Sequence, residues 1–246
     1  MKKSKFISAL NPLFLKGIAH RGLHDEVLTE NGLPAFIAAI NAGFAIELDV
    51  HLTLDQKLVV FHDFELTRTT GKAGIIEELT LAQLKNGYQL LDGSSIPTFK
   101  EVLETVKEII PIVVELKVYK KNYKNLSKCL KEELKSIKDK KNFMLISFDP
   151  RALFPFAFSG FMRSLLVGKA NEWTYSLRHF FPSLDVEHVL LEEKRVQKYQ
   201  KKHFVNCWTV ESKEVLEKVL PFTDTVTFQH LEEGYIKNKL NIKRIK

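Results

Sequence analysis

Residues Ala45 to Asp63 read AIELDVHLTLDQKLVVFHD, and the fold turns on how this stretch is read. Its first half, Ile46-Glu47-Leu48-Asp49-Val50, is an apolar strand in which two carboxylates stand two residues apart. Alternate side chains leave a strand on the same face, so Glu47 and Asp49 point the same way, as metal ligands do. Its second half, Lys57-Leu58-Val59-Val60-Phe61-His62-Asp63, is a β-branched run that stops on an ionisable group, His62. Catalytic groups of parallel α/β proteins gather at strand ends. Taken singly, each residue also has a plainer reading: an acid near a strand can sit in an ion pair, and a lone histidine can pack. The choice depends on the partners supplied by the rest of the chain.

Upstream, Gly17-Ile18-Ala19-His20 reads as a short strand ending on His20, followed by Arg21-Gly22. Leu33 to Asn41 has helical spacing at Leu33, Phe36, Ile37 and Ile40, with Asn31 or Gly32 as N-cap and Gly43 as the stop. Between Val50 and Lys57 there is no room for a helical crossover, so the two runs form either a hairpin or a bare extended return. Glu65 to Pro97 reads as an inserted polar loop with one short helix around Leu81 to Leu84, and loops of this length are usually functional. Beyond it, Thr98 to Ile109 is an amphipathic helix and Pro111 to Lys117 a strand that sets Val113, Glu115 and Lys117 on one face. The spacing then predicts a long lysine-rich helix from Tyr123 to Lys140 and strands at Phe143 to Ser147 and Ser164 to Val167. Leu184 to Leu191 is ambiguous. A charged helix at Glu192 to Lys202, a strand at His203 to Val210, a last helix at Lys213 to Val219 and a strand at Thr225 to Phe228 complete the pattern.

Eight or nine strands alternating with helices suit a TIM (β/α)8 barrel better than an open doubly wound sheet. No GxGxxG follows the first strand, which argues against a dinucleotide site. No repeat or composition shift marks a boundary, so residues 1–246 are expected to form one barrel domain with an insertion at about 65–97 after the third strand. With 45% apolar residues among 246, a folded core is expected. The net charge of +7 favours anionic partners, a phosphate ester or an acidic lipid surface. Nucleic acid ranks last, because the basic residues form no patch interleaved with aromatics. Cys129 and Cys207 have no metal-binding spacing and fit reduced thiols, hence a cytoplasmic location. The N-terminus is a poor signal peptide, broken at Asn11-Pro12, and no run reaches the roughly 20 apolar residues of a membrane helix. Ala152 to Phe161 (ALFPFAFSGF) reads as a core-facing helix and loop whose rings could touch a membrane surface peripherally.

The polar residues at strand ends form an ordered set: His20-Arg21-Gly22, Glu30-Asn31, Glu47-x-Asp49-Val50, Val59-Val60-Phe61-His62-Asp63, Glu115-Leu116-Lys117 and Trp208-Thr209-Val210. In that order and spacing the chain resembles the glycerophosphodiester phosphodiesterase family, from about Gly17 to Phe228. The resemblance implies a TIM barrel in which Glu47, Asp49 and Glu115 hold a divalent cation. It also implies that His20 and His62 do acid–base work, that Arg21 and Lys117 contact phosphate, and that Trp208 lines the substrate pocket. Two departures stand out. Gly32 replaces a Thr or Ser, and Val226-Thr227-Phe228-Gln229 replaces a Thr-Asp-x-Pro ending, which puts the closing loop in question.

The chemistry is coherent on its own terms. Three carboxylates without a cysteine ligand suit a hard cation such as Mg2+, Ca2+ or Mn2+. Two histidines can serve as base and acid near neutrality, and Arg21 and Lys117 can neutralise charge on phosphate oxygens. Lys117 could instead pair with Glu115, and Trp208 could be barrel core. The expected activity is metal-dependent hydrolysis of glycerophosphodiesters to sn-glycerol 3-phosphate and an alcohol, through a cyclic phosphate. The rivals are a phospholipid-directed phosphodiesterase and a barrel that only binds phosphate metabolites.

Overall fold

The structure, a computed structural model, describes residues 2–245, with side chains through 242. Nine strands form one sheet: β1 (Ile18–Ala19), β2 (Ala45–Leu52), β3 (Leu58–Val60), β4 (Ile112–Leu116), β5 (Phe143–Ser147), β6 (Met162–Val167), β7 (Ser183–Glu187), β8 (Phe204–Val210) and β9 (Thr225–Phe228). Eight of them pair in parallel around a ring in the order β1, β2, β4, β5, β6, β7, β8, β9, and β9 returns to β1. This is a closed (β/α)8 barrel. β3 stands outside the ring and pairs antiparallel with β2, Val50 opposite Val60 and Leu52 opposite Leu58. The Val50 to Lys57 connection is therefore a hairpin, turned at Gln56, whose φ is +59°.

All eight residues of β2 are buried, which identifies a strand covered on both sides. Its outward residues Ile46, Leu48 and Val50 join Phe36, Ala39, Val102 and Leu126 of the surrounding helices in one continuous core. Its inward residues are Ala45, Glu47 and Asp49. The lower barrel is filled by Ile18, Ala45, Val113, Met144, Met162 and Phe204, and the N-terminal segment closes it from below with Phe6, Leu10 and Phe14. Phe6 stacks on Phe204 at 4.9 Å. The segment read as a poor signal peptide is thus the floor of the barrel.

Several elements differ from the sequence pattern. The lysine-rich helix ends at Glu133 rather than Lys140; a 3-10 turn at Leu134–Ser136 follows, and Asp139 caps a separate turn through Lys141 N. The ambiguous stretch after Leu184 is β7 and a 3-10 turn at His188–Leu190. A further helix, Glu233–Ile245, was not anticipated; it lays Ile236 and Leu240 into the main core. The insertion holds helical turns at Thr67–Thr70, Ile76–Glu78 and Leu81–Gly87, built on a small core of Phe61, Leu66, Ile76, Leu84, Leu90 and Ile96. Thr98 and Glu101 form a reciprocal capping box that starts the next helix, Phe99–Val106, and fixes where the insertion ends. Within the Phe-rich segment Ala152, Leu153 and Phe156 are buried, whereas Phe154 and Phe158 are exposed. Among the described residues no helix is long and apolar enough to cross a membrane.

Candidate active site

Parallel closure brings the C-terminal ends of the strands to one mouth. Inward parity then places Glu47 and Asp49 (β2), Glu115 (β4) and Trp208 (β8) on its wall. One ligand oxygen from each of Glu47, Asp49 and Glu115 lies within 4.8 Å of the others. A single cavity is lined by His20, Arg21, Glu47, His62, Glu115, Lys117 and Trp208.

Three buried acids so close repel one another. Burial, then Asp49 and Glu115, push the Glu47 carboxyl well above its usual range. Glu115 is raised as well, by burial and by Asp49, although Lys117 opposes this. Burial works against the Asp49 charge too, but Lys117, His62, Arg21 and the Asn31 amide together hold its carboxyl well below the ordinary range. The compensating cations are close: Lys117 Nζ lies 3.0 Å from Glu115 Oε1 and 3.3 Å from Asp49 Oδ1, and Arg21 Nε lies 3.6 Å from Asp49 Oδ2. Lys117 therefore does pair with Glu115, and with Asp49 as well. The cluster is buried, all-oxygen and held together against mutual repulsion, so its donors fit a hard divalent cation.

The two histidines reach the mouth by different routes. His20 follows β1 directly. Its neighbour Arg21 has φ +55°, and Gly22 has φ +83° with Ala35 backbone only 2.9 Å from where a Cβ would lie, so glycine is required there. This tight turn aims the Arg21 N–H at Glu47 Oε2, 3.1 Å away. His20 Nδ1 lies 2.5 Å from Gln229 Oε1, while the Gln229 amide donates to Glu211 Oε1 at 2.6 Å. Those two contacts assign the hydrogen to Nδ1 and leave the Nε2 lone pair facing the cavity, 3.9 Å from Glu47 Oε2. Burial and then Arg21 depress His20 to about 3, so the ring is neutral. In the last strand Thr227 stands where the acid was expected and Gln229 where the proline was, and the closing loop supplies a partner for His20 through Gln229.

His62 is not at the end of a barrel strand. The β2–β3 hairpin carries it out and back: Phe61 N donates to Asp49 O at 3.1 Å, and buried His51 holds the His62 carbonyl through Nε2 at 3.0 Å. His51 Nδ1 in turn meets Glu77 of the insertion at 2.6 Å. His62 Nδ1 meets Asp63 Oδ1 at 2.6 Å. Burial lowers His62, with Lys117 and Arg21 adding to the effect against Asp49 and Asp63.

Other residues complete the site, and two of them, Arg68 and Asp185, carried no sequence signal of their own. Arg68, from the insertion, bonds both Asp63 and Glu30, and Glu30 also binds Arg21 at 2.8 Å, so one arginine ties the His20 and His62 loops together. Asn31 is not a helix cap; its amide donates to Asp49 Oδ2 at 2.9 Å, and Gly32 takes the N-cap position with no side-chain bond. A Cβ at Gly32 would lie 2.9 Å from Thr29 O and 3.2 Å from Leu90 of the insertion, which leaves no room for Thr or Ser. Asp185 on β7 also lines the cavity, receives the Asn206 amide at 2.7 Å and is raised to about 7 by burial, with Glu115 adding to it against Asn206. Trp208 is both wall and core: its N–H donates to Asp185 O at 3.0 Å and its ring meets Phe148 edge-on at 5.5 Å.

Comparison with known proteins places this arrangement. The glycerophosphodiester phosphodiesterase of Caldanaerobacter subterraneus subsp. tengcongensis is 31% identical over 219 residues, 82% of this chain and 88% of that protein. That of Bacillus altitudinis is 34% identical over 142 residues, 54% of this chain and only 58% of that protein's length. The crystal structure of the Thermotoga maritima glycerophosphodiester phosphodiesterase superposes with a TM-score of 0.70 at 28% identity, covering 93% of this chain and 97% of the other. The sequence profile of the glycerophosphoryl diester phosphodiesterase family matches residues 20–232, the span that carries every residue of the mouth described above. The chain belongs to the glycerophosphoryl diester phosphodiesterase family.

Proposed function

We propose that the chain hydrolyses glycerophosphodiesters to sn-glycerol 3-phosphate and an alcohol, with Glu47, Asp49 and Glu115 holding a divalent cation. The observation that carries this reading is the convergence of Glu47, Glu115, both histidines, Arg21 and Lys117 on one cavity, with Asp49 completing the carboxylate cluster beside Glu47 and Glu115. A hard cation such as Ca2+, Mg2+ or Mn2+ there would bind hydroxyl and phosphoryl oxygens and lower the hydroxyl's pKa.

The chain's own residues supply the proton transfers. His20 Nε2, bare and facing the cavity, takes the proton of the glycerol 2-hydroxyl. That oxygen attacks phosphorus, and the bond to the departing alcohol breaks. His62, steadied by Asp63, donates the proton the alcohol needs. Arg21 and Lys117 offset the charge on the phosphate oxygens, and Trp208 forms the wall against which the glycerol lies. Water then opens the cyclic 1,2-phosphate with the two histidines in exchanged roles. An intramolecular nucleophile can contribute about 7 to 11 kcal/mol in well-oriented cases, which favours this route over direct attack by water.

The test is turnover of glycerophosphocholine with added cation, with chelator, and with a 2-deoxy analogue in place of the substrate. Release of choline that stops with chelator, and that the analogue does not support, is the expected result. Turnover that survives chelation removes the cation, and an analogue cleaved as fast as the parent removes the cyclic route.

A further inference from the structure

Three residues stand in a row across the rim of the mouth, each one step beyond the end of its strand. β1, β9 and β8 are neighbours in the ring, with Ala19 paired to Phe228 and Phe228 paired to Val210. The next residues along those strands are His20, Gln229 and Glu211. Two backbone bonds continue the pairing and hold them in register: His20 N donates to Phe228 O at 2.9 Å, and Gln229 N to Val210 O at 3.1 Å. Their side chains then connect the cavity to solvent. His20 Nδ1 lies 2.5 Å from Gln229 Oε1, and Gln229 Nε2 donates to the exposed carboxylate of Glu211 at 2.6 Å. Gln229 occupies the place where the family ending carries a proline, whose side chain has no group that could reach His20 in this way.

A glutamine amide has no preferred face of its own. Turned by half a revolution it puts its NH2 where its oxygen stood, in nearly the same volume. With the NH2 toward His20, Nδ1 would have to accept, so the ring hydrogen would move to Nε2 and the lone pair that faces the cavity would be lost. A carboxylate only accepts, and Glu211 therefore decides between the two orientations. We propose that Glu211 is a positioning residue: it holds the Gln229 amide with its oxygen inward and so keeps His20 in the tautomer that can take the proton of the glycerol 2-hydroxyl. The inference rests on the phosphodiesterase reading and names how the base of that site is set. The other groups around His20 do not make this choice. Arg21, Asp49 and His62 act on the ring through space, and Glu47 Oε2, at 3.9 Å from Nε2, is beyond hydrogen-bond distance. His24 also bonds the Gln229 side chain, with its ring edge-on to His230 at 5.1 Å. An imidazole can donate or accept, so His24 follows the amide and does not direct it.

The experiment reads the tautomer and the rate separately. Nitrogen NMR of His20 in the cation-free protein should show the hydrogen on Nδ1 in the parent, a mixture of tautomers in Glu211→Gln, whose amide can present either group, and the hydrogen on Nε2 in Glu211→Lys, whose ammonium only donates. With cation present, kcat for glycerophosphocholine should fall about twofold in Glu211→Gln, where the two orientations are equally served, and at least about tenfold in Glu211→Lys, the worth of one charge-assisted hydrogen bond. KM should change little in either. Adding Gln229→Glu to Glu211→Lys should return the hydrogen to Nδ1 together with most of the turnover, because a carboxylate at 229 accepts from His20 in either orientation. A parent-like tautomer in Glu211→Lys overturns the proposal and passes the orienting role to His24. A fall in kcat with the tautomer unchanged also overturns it, since Glu211 would then act only through the shape of the rim. The expected tautomer series in a protein that turns over no glycerophosphodiester sinks the phosphodiesterase reading and leaves the control of His20 standing, whereas parent-level turnover in all the variants sinks this inference alone.

Discussion

Asp185 is a buried acid that lines the same cavity as His20, His62, Glu47 and Glu115 and stands outside the three-carboxylate cluster. Its Oδ1 receives the Asn206 amide, which also donates to Thr227 Oγ1 at 2.8 Å, while Oδ2 has no hydrogen-bond partner among the described residues. Burial, with Glu115 opposite, raises it to about 7 against an ordinary value of 3.8. Between those two values the folded protein binds a proton that the unfolded chain does not, so this group's contribution to stability falls as pH rises toward 7. Asp185→Asn should therefore unfold later than the parent at pH 8, by at least about 1 kcal/mol, and the advantage should shrink toward pH 4. Thermal unfolding of the cation-free protein at the two pH values checks this; a difference independent of pH would mean that Asp185 titrates in the ordinary range. The same carboxyl illustrates why the sequence did not reveal it. Asp185 and Asn206 are 21 residues apart, and only the β7–β8 register sets them side by side.

At the scale of elements the β2–β3 hairpin matters most, because it delivers His62 without a barrel strand of its own. His51 continues the inward parity of Glu47 and Asp49, and that alternation was the one available signal for it. Beyond the ring it meets the insertion instead of the cavity, and it anchors the His62 backbone through one nitrogen and Glu77 through the other. His51→Leu should leave the barrel folded but lower kcat about tenfold or more, since a displaced acid is costly even at sub-ångström error. Stability should also fall by about 1–3 kcal/mol, because Glu77 is left buried without its partner. Adding Glu77→Leu should restore the stability and not the turnover. Recovery of both would show that His51 acts only through packing.

At the scale of the molecule, the barrel separates what holds it together from what it does. Phe6, Phe14, Met162 and Phe204 fill the lower end, and the acids and histidines occupy the upper one. Phe6 is fully buried against Phe204, so Phe6→Ala should cost about 3–5 kcal/mol in unfolding free energy. KM for glycerophosphocholine should stay within about twofold of the parent, since cavity formation at the floor is felt locally. A variant with a large change in KM and little loss of stability would place the floor in communication with the mouth.

What the sequence alone determined is local. Strand periodicity is two, so Glu47 with Asp49 and Glu115 with Lys117 were assigned to common faces before any partner was known. Strand and helix alternation then implied parallel strands with their ends together, and hence a shared mouth for His20 and the acids. Tertiary structure decided whatever depends on pairing between distant segments. The hairpin return was undecided because six residues permit either connection. Glu30 stood in the ordered motif set, but Arg68, 38 residues away, carried no signal, and only the folding of the insertion over the His20 loop pairs the two. The Glu233–Ile245 helix was missed because its apolar residues are sparse: among the described residues Ile236 and Leu240 are buried in the core and Tyr235 packs partly against it. Periodicity records which way a side chain leaves its own backbone; which residues it then meets is fixed by the closure and register of the ring.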